Sequence, residues 1–183
     1  EQAIQAWEKL VRLDPAARVV ASYNQARIYL YQGKYDEALK ALDAGAKLEP
    51  NHPLIRIFRS SVLLYSGKKE EALEMLKGVL DENSQMDGIR PLYAMFLASV
   101  GKKEEAREQL TEAAKNLAKA DHDMAYWMTS AHSQLGDPDQ AFYWMERAIK
   151  LGNENKSWYE NDTMLEPLRT DPRFLETLAK IEI

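Results

Sequence analysis

The chain has 183 residues, a net charge of −5 and a pI near 5.3. A chain of this length can bury about 70% of the surface its unfolded state exposes, so a core requires neither disulfide nor metal. It contains no cysteine, which excludes disulfide scaffolds, thiolate nucleophiles and Cys-bearing zinc sites, and its interspersed charges lack the basic stripe of a nucleic-acid binder.

Residues 1–16 carry Ala3, Trp7 and Leu10 at helical spacing, closed by Asp14-Pro15. They read as the second helix of a partial repeat whose first helix is missing. Residues 17–52 form a complete unit: a helix from Val19 to about Gln32, a turn at Gly33-Lys34, and a helix from Tyr35 to about Leu48 that Pro50 stops. Further units occupy 53–86, 87–121 and 122–152, beginning near Pro53, Asp87 and His122. The turn strings repeat: Gly33-Lys34-Tyr35-Asp36-Glu37-Ala38, Gly67-Lys68-Lys69-Glu70-Glu71-Ala72, Gly101-Lys102-Lys103-Glu104-Glu105-Ala106 and Gly136-Asp137-Pro138-Asp139-Gln140-Ala141. Their glycines lie 34, 34 and 35 residues apart, the period of a solenoid of helix pairs.

Small residues fall where paired helices must approach: Ala26 with Ala38, Ser60 with Ala72, Ala94 with Ala106, Thr129 with Ala141. Larger apolar residues follow at three or four positions, giving each helix one buried stripe. Pro91 fits an early turn of a helix that starts near Arg90. Asp137 is expected to cap the helix that Pro138 opens, and Gly152 to end it. Residues 153–161 read as a polar connection around Trp158 and Tyr159. Asp171-Pro172 then opens a short last helix through about Lys180, whose Arg173, Glu176 and Lys180 would make a solubilising cap. The expected fold is all-α, a single solenoid domain of antiparallel helix pairs over 1–183.

These features resemble the tetratricopeptide repeat family over residues 1–152, most fully at 19–52 and 87–120. Gln25 and Arg59 depart from the leucine-like residue usual at their position, and Ser84 and Ala118 stand where a closing proline would be. The tail, Ala141-Phe142-Tyr143-Trp144-Met145-Glu146-Arg147-Ala148 followed by Leu165-Glu166-Pro167-Leu168-Arg169-Thr170-Asp171-Pro172-Arg173-Phe174, is similar to the ending of such arrays in multidomain bacterial signalling proteins. Those proteins carry kinase, cyclase or transcriptional regulator domains. With Glu1 as first residue, the sequence reads as part of a longer, cytoplasmic chain.

The resemblance implies a superhelix whose first helices line a concave groove. It places Tyr23, Arg27, Leu30 and Tyr31 there, then Ile57, Ser61, Leu64 and Tyr65, then Met95 and Ser99, and finally Asp123, Tyr126, Ser130 and Gln134. The expected partner-binding set is Tyr23, Arg27, Tyr31, Ile57, Ser61, Tyr65, Met95, Asp123, Tyr126 and Ser130. Tyr23, Ile57, Tyr65 and Tyr126 would anchor, and Arg27 and Asp123 would select charge. One subtype holds a peptide's terminal carboxylate; Tyr23, Arg27, Phe58, Gly88 and Leu92 occupy its positions here, and only Arg27 is a suitable donor.

Other sites are not expected. His122 and His132 sit ten residues apart and cannot share an ion on one helix, and the Asp121-His122-Asp123 run suits helix capping. The Lys-Lys-Glu-Glu runs at 68–71 and 102–105 suit solvated turns with acid at a helix start. Most of Trp127, Phe142, Tyr143, Trp144 and Trp158 are expected in the core. No phosphate loop, nucleophile elbow or HExxH helix occurs, so neither catalysis nor a cofactor or metal is expected, and no apolar run of about 18 residues exists to cross a membrane. The expected role is a protein or peptide interaction scaffold. The alternatives are a sensor that binds a small ligand or peptide to control an attached domain, and self-association through the N-terminal partial repeat around Trp7.

Overall fold

A computed structural model of the chain describes residues 2–181. Among these residues there are twelve α-helices, three short 3-10 turns and no strand. The fold is an all-α helical repeat, and the chain separates into two compact units, one ending at Glu82 and one beginning at Asn83.

The first unit holds α1 (Gln2–Leu13), α2 (Arg18–Tyr31), α3 (Tyr35–Ala46), α4 (Pro53–Tyr65) and α5 (Lys69–Glu82). Helices α2 and α3 pair, as do α4 and α5. The turns between partners share one construction. Gly33 and Gly67 sit at φ 69° and 88°, where a side chain is strained. Beyond each, a lysine amide reaches back to the helix just ended, Lys34 to the Tyr29 carbonyl and Lys68 to that of Leu63, both at 2.9 Å. This closure satisfies carbonyls that the helix end leaves open. The next helix then opens on acid, Asp36-Glu37 or Glu70-Glu71, which favours its positive N-terminal dipole.

Val19, Ala26, Leu30, Ala38, Leu42, Ile55 and Val62 form one buried cluster, with Tyr23, Tyr29, Phe58 and Tyr65 packed against it. The helices approach closely at Gly45. A Cβ there would lie 2.8 Å from Ser22 Cβ and 2.9 Å from Ile55 Cδ1. Helix α1 differs from its neighbours in having no buried residue.

The second unit holds α6 (Arg90–Ser99), α7 (Lys103–Gln109), α8 (Glu112–Ala118), α9 (His122–Leu135), α10 (Pro138–Lys150), α11 (Lys156–Asn161) and α12 (Pro172–Leu178). As expected, α6 starts at Arg90 with Pro91 in its first turn, and Gly152 lies at positive φ beyond α10. The stretch after Gly101, by contrast, is not one helix. Leu110 leaves helical geometry at ψ 56°, and the Thr111 hydroxyl accepts from the Ala114 amide to start α8.

Three expectations are corrected here. Residues 153–161 are not merely a polar connection: they contain α11, and Tyr159 is fully buried with its ring edge-on to Tyr126 at 5.0 Å. Asp137 occupies the N-cap position of α10 without bonding its amides; its carboxylate accepts from Arg107 at 3.1 Å. The polar residues of the last helix do not simply face water. Arg173 lies over the Phe142 ring and pairs with Asp139 and Asp171, and Lys180 pairs with Glu146, so α12 is clamped to α10.

Candidate functional site

Helix α2 places Val20, Tyr23, Arg27 and Tyr31 three to four residues apart, hence on one face. Val20 and Tyr31 are exposed at 40% and 36%, while Tyr23 and Arg27 are half-buried. Two other rings stack with that of Tyr23. Phe58 of α4 stacks on it at 5.9 Å with an interplanar angle of 6°, and His52 at 5.8 Å with 22°. His52 is held there because Pro53 confines the preceding residue to extended backbone, seen as φ −60° and ψ 120°. Tyr65, half-buried, ends α4 and packs on the same core as Tyr23.

The charges of α4 are spent on its flanks. Arg56 forks onto the Glu82 carboxylate of α5, holding that carboxyl below its ordinary pKa, and Arg59 meets Asp43 of α3 at 2.5 Å. The result is an aromatic face across α2 and α4, with Arg27 one turn along from the stacked rings.

The expected binding residues divide by burial. Tyr23, Arg27, Tyr31 and Tyr65 reach the surface of the first unit, and Asp123 is half-exposed in the second, 3.3 Å from His122. Ile57 and Ser61 do not reach it, at 2% and 7% exposure, because α4 buries seven of its thirteen residues. The Ser61 hydroxyl donates to the Ile57 carbonyl of its own helix. In the second unit Met95, Tyr126 and Ser130 are likewise buried. Helix α6 encloses eight of its ten side chains, and the Tyr126 hydroxyl is engaged with Asp162. These five offer no contact surface as they stand. His52 and Phe58 lie outside the expected partner-binding set, although Phe58 holds one of the positions of the carboxylate-binding subtype. The signal for Phe58 was its place 35 residues after Tyr23, one step beyond the strict 34-residue register that selects Ile57.

His132 is buried in α9. Burial lowers its pKa even though Asp137 lies 3.5 Å away.

Residues 23–87 match the tetratricopeptide repeat family model. The match begins at Tyr23 within α2 and runs through α3, α4 and α5, so it takes in parts of both helices that carry the aromatic face. No curated protein matches the chain. Among solved structures, residues 41 to the end of MamA from Desulfovibrio magneticus RS-1 are 20% identical, with 90% of this chain and 93% of that one covered and a TM-score of 0.48. A MamA RS-1 ArsTM double mutant gives 20%, 90%, 92% and 0.48. YrrB, described as a TPR protein with an unusual peptide-binding site, is 20% identical over 87% of this chain and 81% of its own, at a TM-score of 0.47.

Proposed function

We propose that the chain is a non-enzymatic interaction module that docks an apolar, acid-bearing segment of a partner protein on the α2–α4 face. The observation that carries this reading is the stacked Tyr23, Phe58 and His52 set flanked by Tyr31, Tyr65 and Arg27. Tyrosine offers large contact area with few rotatable bonds and a hydroxyl for the partner's backbone. Rings already stacked in the free chain lose little further freedom on binding, which leaves the ordering cost with the partner. Arg27 would favour a carboxylate in the bound segment, and Asp123 would act on charge in the second unit. The Leu165–Phe174 string supports placing the module in a larger, cytoplasmic signalling protein of bacterial type.

The test begins with peptides selected on the wild-type chain from a displayed library, followed by calorimetric titration. Tyr65→Ala is expected to weaken the selected peptide by about 1–3 kcal/mol, the range of an interface anchor, and Arg27→Glu to shift preference from acidic to basic peptides. Affinities unchanged by both substitutions would remove the α2–α4 face from the function.

A second reading is favoured by α1. Its Leu10 and Leu13 are 40% and 76% exposed on a helix with no buried residue, which suits pairing with another copy. Light scattering that shows a monomer at high concentration would exclude it.

A further inference from the structure

The first unit contains a cleft of about 410 Å³ between α1, α2 and α3, away from the aromatic face. Its wall is formed by small side chains, Ala21, Ala41 and Ala44, and its rim carries Glu8, Arg12 and Arg18. The volume falls within the roughly 300–1,000 Å³ of small-molecule sites.

The repeat itself explains why this cleft is open. Ser22 and Gln25 line it. One period later the same two positions are Arg56 and Arg59, whose side chains span from α4 to Glu82 and Asp43 on the two flanking helices. Further along the sequence they are Arg90 and Tyr93, then, across the last spacing of 35, Ala125 and Met128. The first full repeat has a hydroxymethyl and a neutral amide where each of the next two has a pair of large side chains. Glu8 stands 35 residues before Asp43, the acid that receives Arg59, so it is the counterpart of a pair that Gln25 cannot complete.

Among the described residues, the side chains of Arg12 and Arg18 take part in no ion pair or hydrogen bond, and neither does Glu8. Two unpaired guanidinium groups and one carboxylate give the rim a net charge of +1. We infer that this cleft binds a small organic carboxylate with an apolar body. Its anion would be held by Arg12 and Arg18, and its hydrocarbon would lie on the alanines in the space that Arg56 and Arg59 fill one repeat later. Guanidinium donates to carboxylate through paired N–H groups, and the apolar wall supplies the burial that a bare ion lacks. This site is separate from the proposed partner face and stands or falls independently of it.

The experiment titrates the full chain with hexanoate, phenylacetate and indole-3-acetate, each beside its neutral amide, by calorimetry and by amide NMR shifts. At least one carboxylate is expected to bind about tenfold more tightly than its amide, the worth of a charge-assisted hydrogen bond, with shifts centred on Ser22, Ala41 and Ala44. Arg18→Gln is expected to lose that advantage and Glu8→Gln to strengthen binding. Gln25→Arg, which recreates the Arg59–Asp43 arrangement against Glu8, is expected to block the cleft. Arg18 and Glu8 are exposed, so their variants fold whether or not Gln25→Arg does. Carboxylates that bind no better than their amides, or binding that Arg18→Gln leaves unchanged, would overturn the inference.

Discussion

Gly45→Ala should destabilise the first unit, although the same change elsewhere on a helix stabilises. Glycine inside a helix costs about 0.5–1 kcal/mol relative to alanine, so substitution begins with that much in its favour. At Gly45 the added methyl meets Ser22 Cβ at 2.8 Å and Ile55 Cδ1 at 2.9 Å. The isoleucine tip can rotate away, but Ser22 Cβ is fixed to the α2 backbone, so α3 must move. Overpacking of this kind costs about 1–3 kcal/mol, leaving a net loss of up to about 2.5 kcal/mol once the helical gain is subtracted. Gly78 on α5 supplies the control. A methyl there meets only Arg56 Nη2, at 3.2 Å, and a guanidinium at the end of a long side chain yields easily. Gly78→Ala should therefore stabilise by up to about 1 kcal/mol. Urea titrations followed by circular dichroism give both values from shifted midpoints at constant slope. The close approach also predicts coupling: adding Ser22→Gly to Gly45→Ala should recover more than about 0.5 kcal/mol relative to the sum of the single changes. Equal effects at 45 and 78, or additive behaviour with Ser22, would refute the reasoning.

Tyr126→Phe should cost about 1–3 kcal/mol, because it leaves the 1% exposed Asp162 carboxylate without the hydroxyl that donates to it; the same urea titration reads it, and a loss below about 0.5 kcal/mol would show the bond to be dispensable. Stability should also fall as pH drops through the ordinary histidine value near 6.5. Burial holds the folded-state pKa of His132 below that value against the pull of Asp137, with Lys115 and Arg107 adding to the depression, so in this window the unfolded chain takes up a proton that the folded chain refuses. His132→Gln should flatten thermal midpoints between pH 7 and 5, and an unchanged slope would acquit His132. A separate loss is expected below the ordinary aspartate range, where Asp137, whose pKa is lowered chiefly by its bond from Arg107, must be protonated.

Most of the architecture was legible because the chain states it four times. A glycine at positive φ, an acidic helix start and small residues at the crossings all recur with the period, and each has a local physical cause. The places where reading failed are those where the cause is not local. Tyr159 looked like part of a polar linker because its neighbours are polar, yet what decides its burial is Tyr126, 33 positions earlier in the chain. Asp137 has the residue type and the position of a cap, but Arg107 of α7 takes its carboxylate.

The binding set shows the same division. A 34-residue register carries a position from one repeat to the next and leaves burial undetermined, since burial depends on how many neighbours a helix has. Helix α2 keeps Tyr23, Arg27 and Tyr31 at or near the surface, whereas α4 is enclosed through Ile57, Ser61 and Leu64 and turns Phe58 outward instead. That one-residue offset is what brings Phe58 onto Tyr23. Ser22 and Gln25 make the converse point. The repeat predicts large side chains there by comparison with Arg56 and Arg59, and the cleft exists because the sequence breaks its own rule at those positions. A repeat protein therefore reveals its fold where its units agree, and the sites special to it are to be sought where one unit departs from the rest.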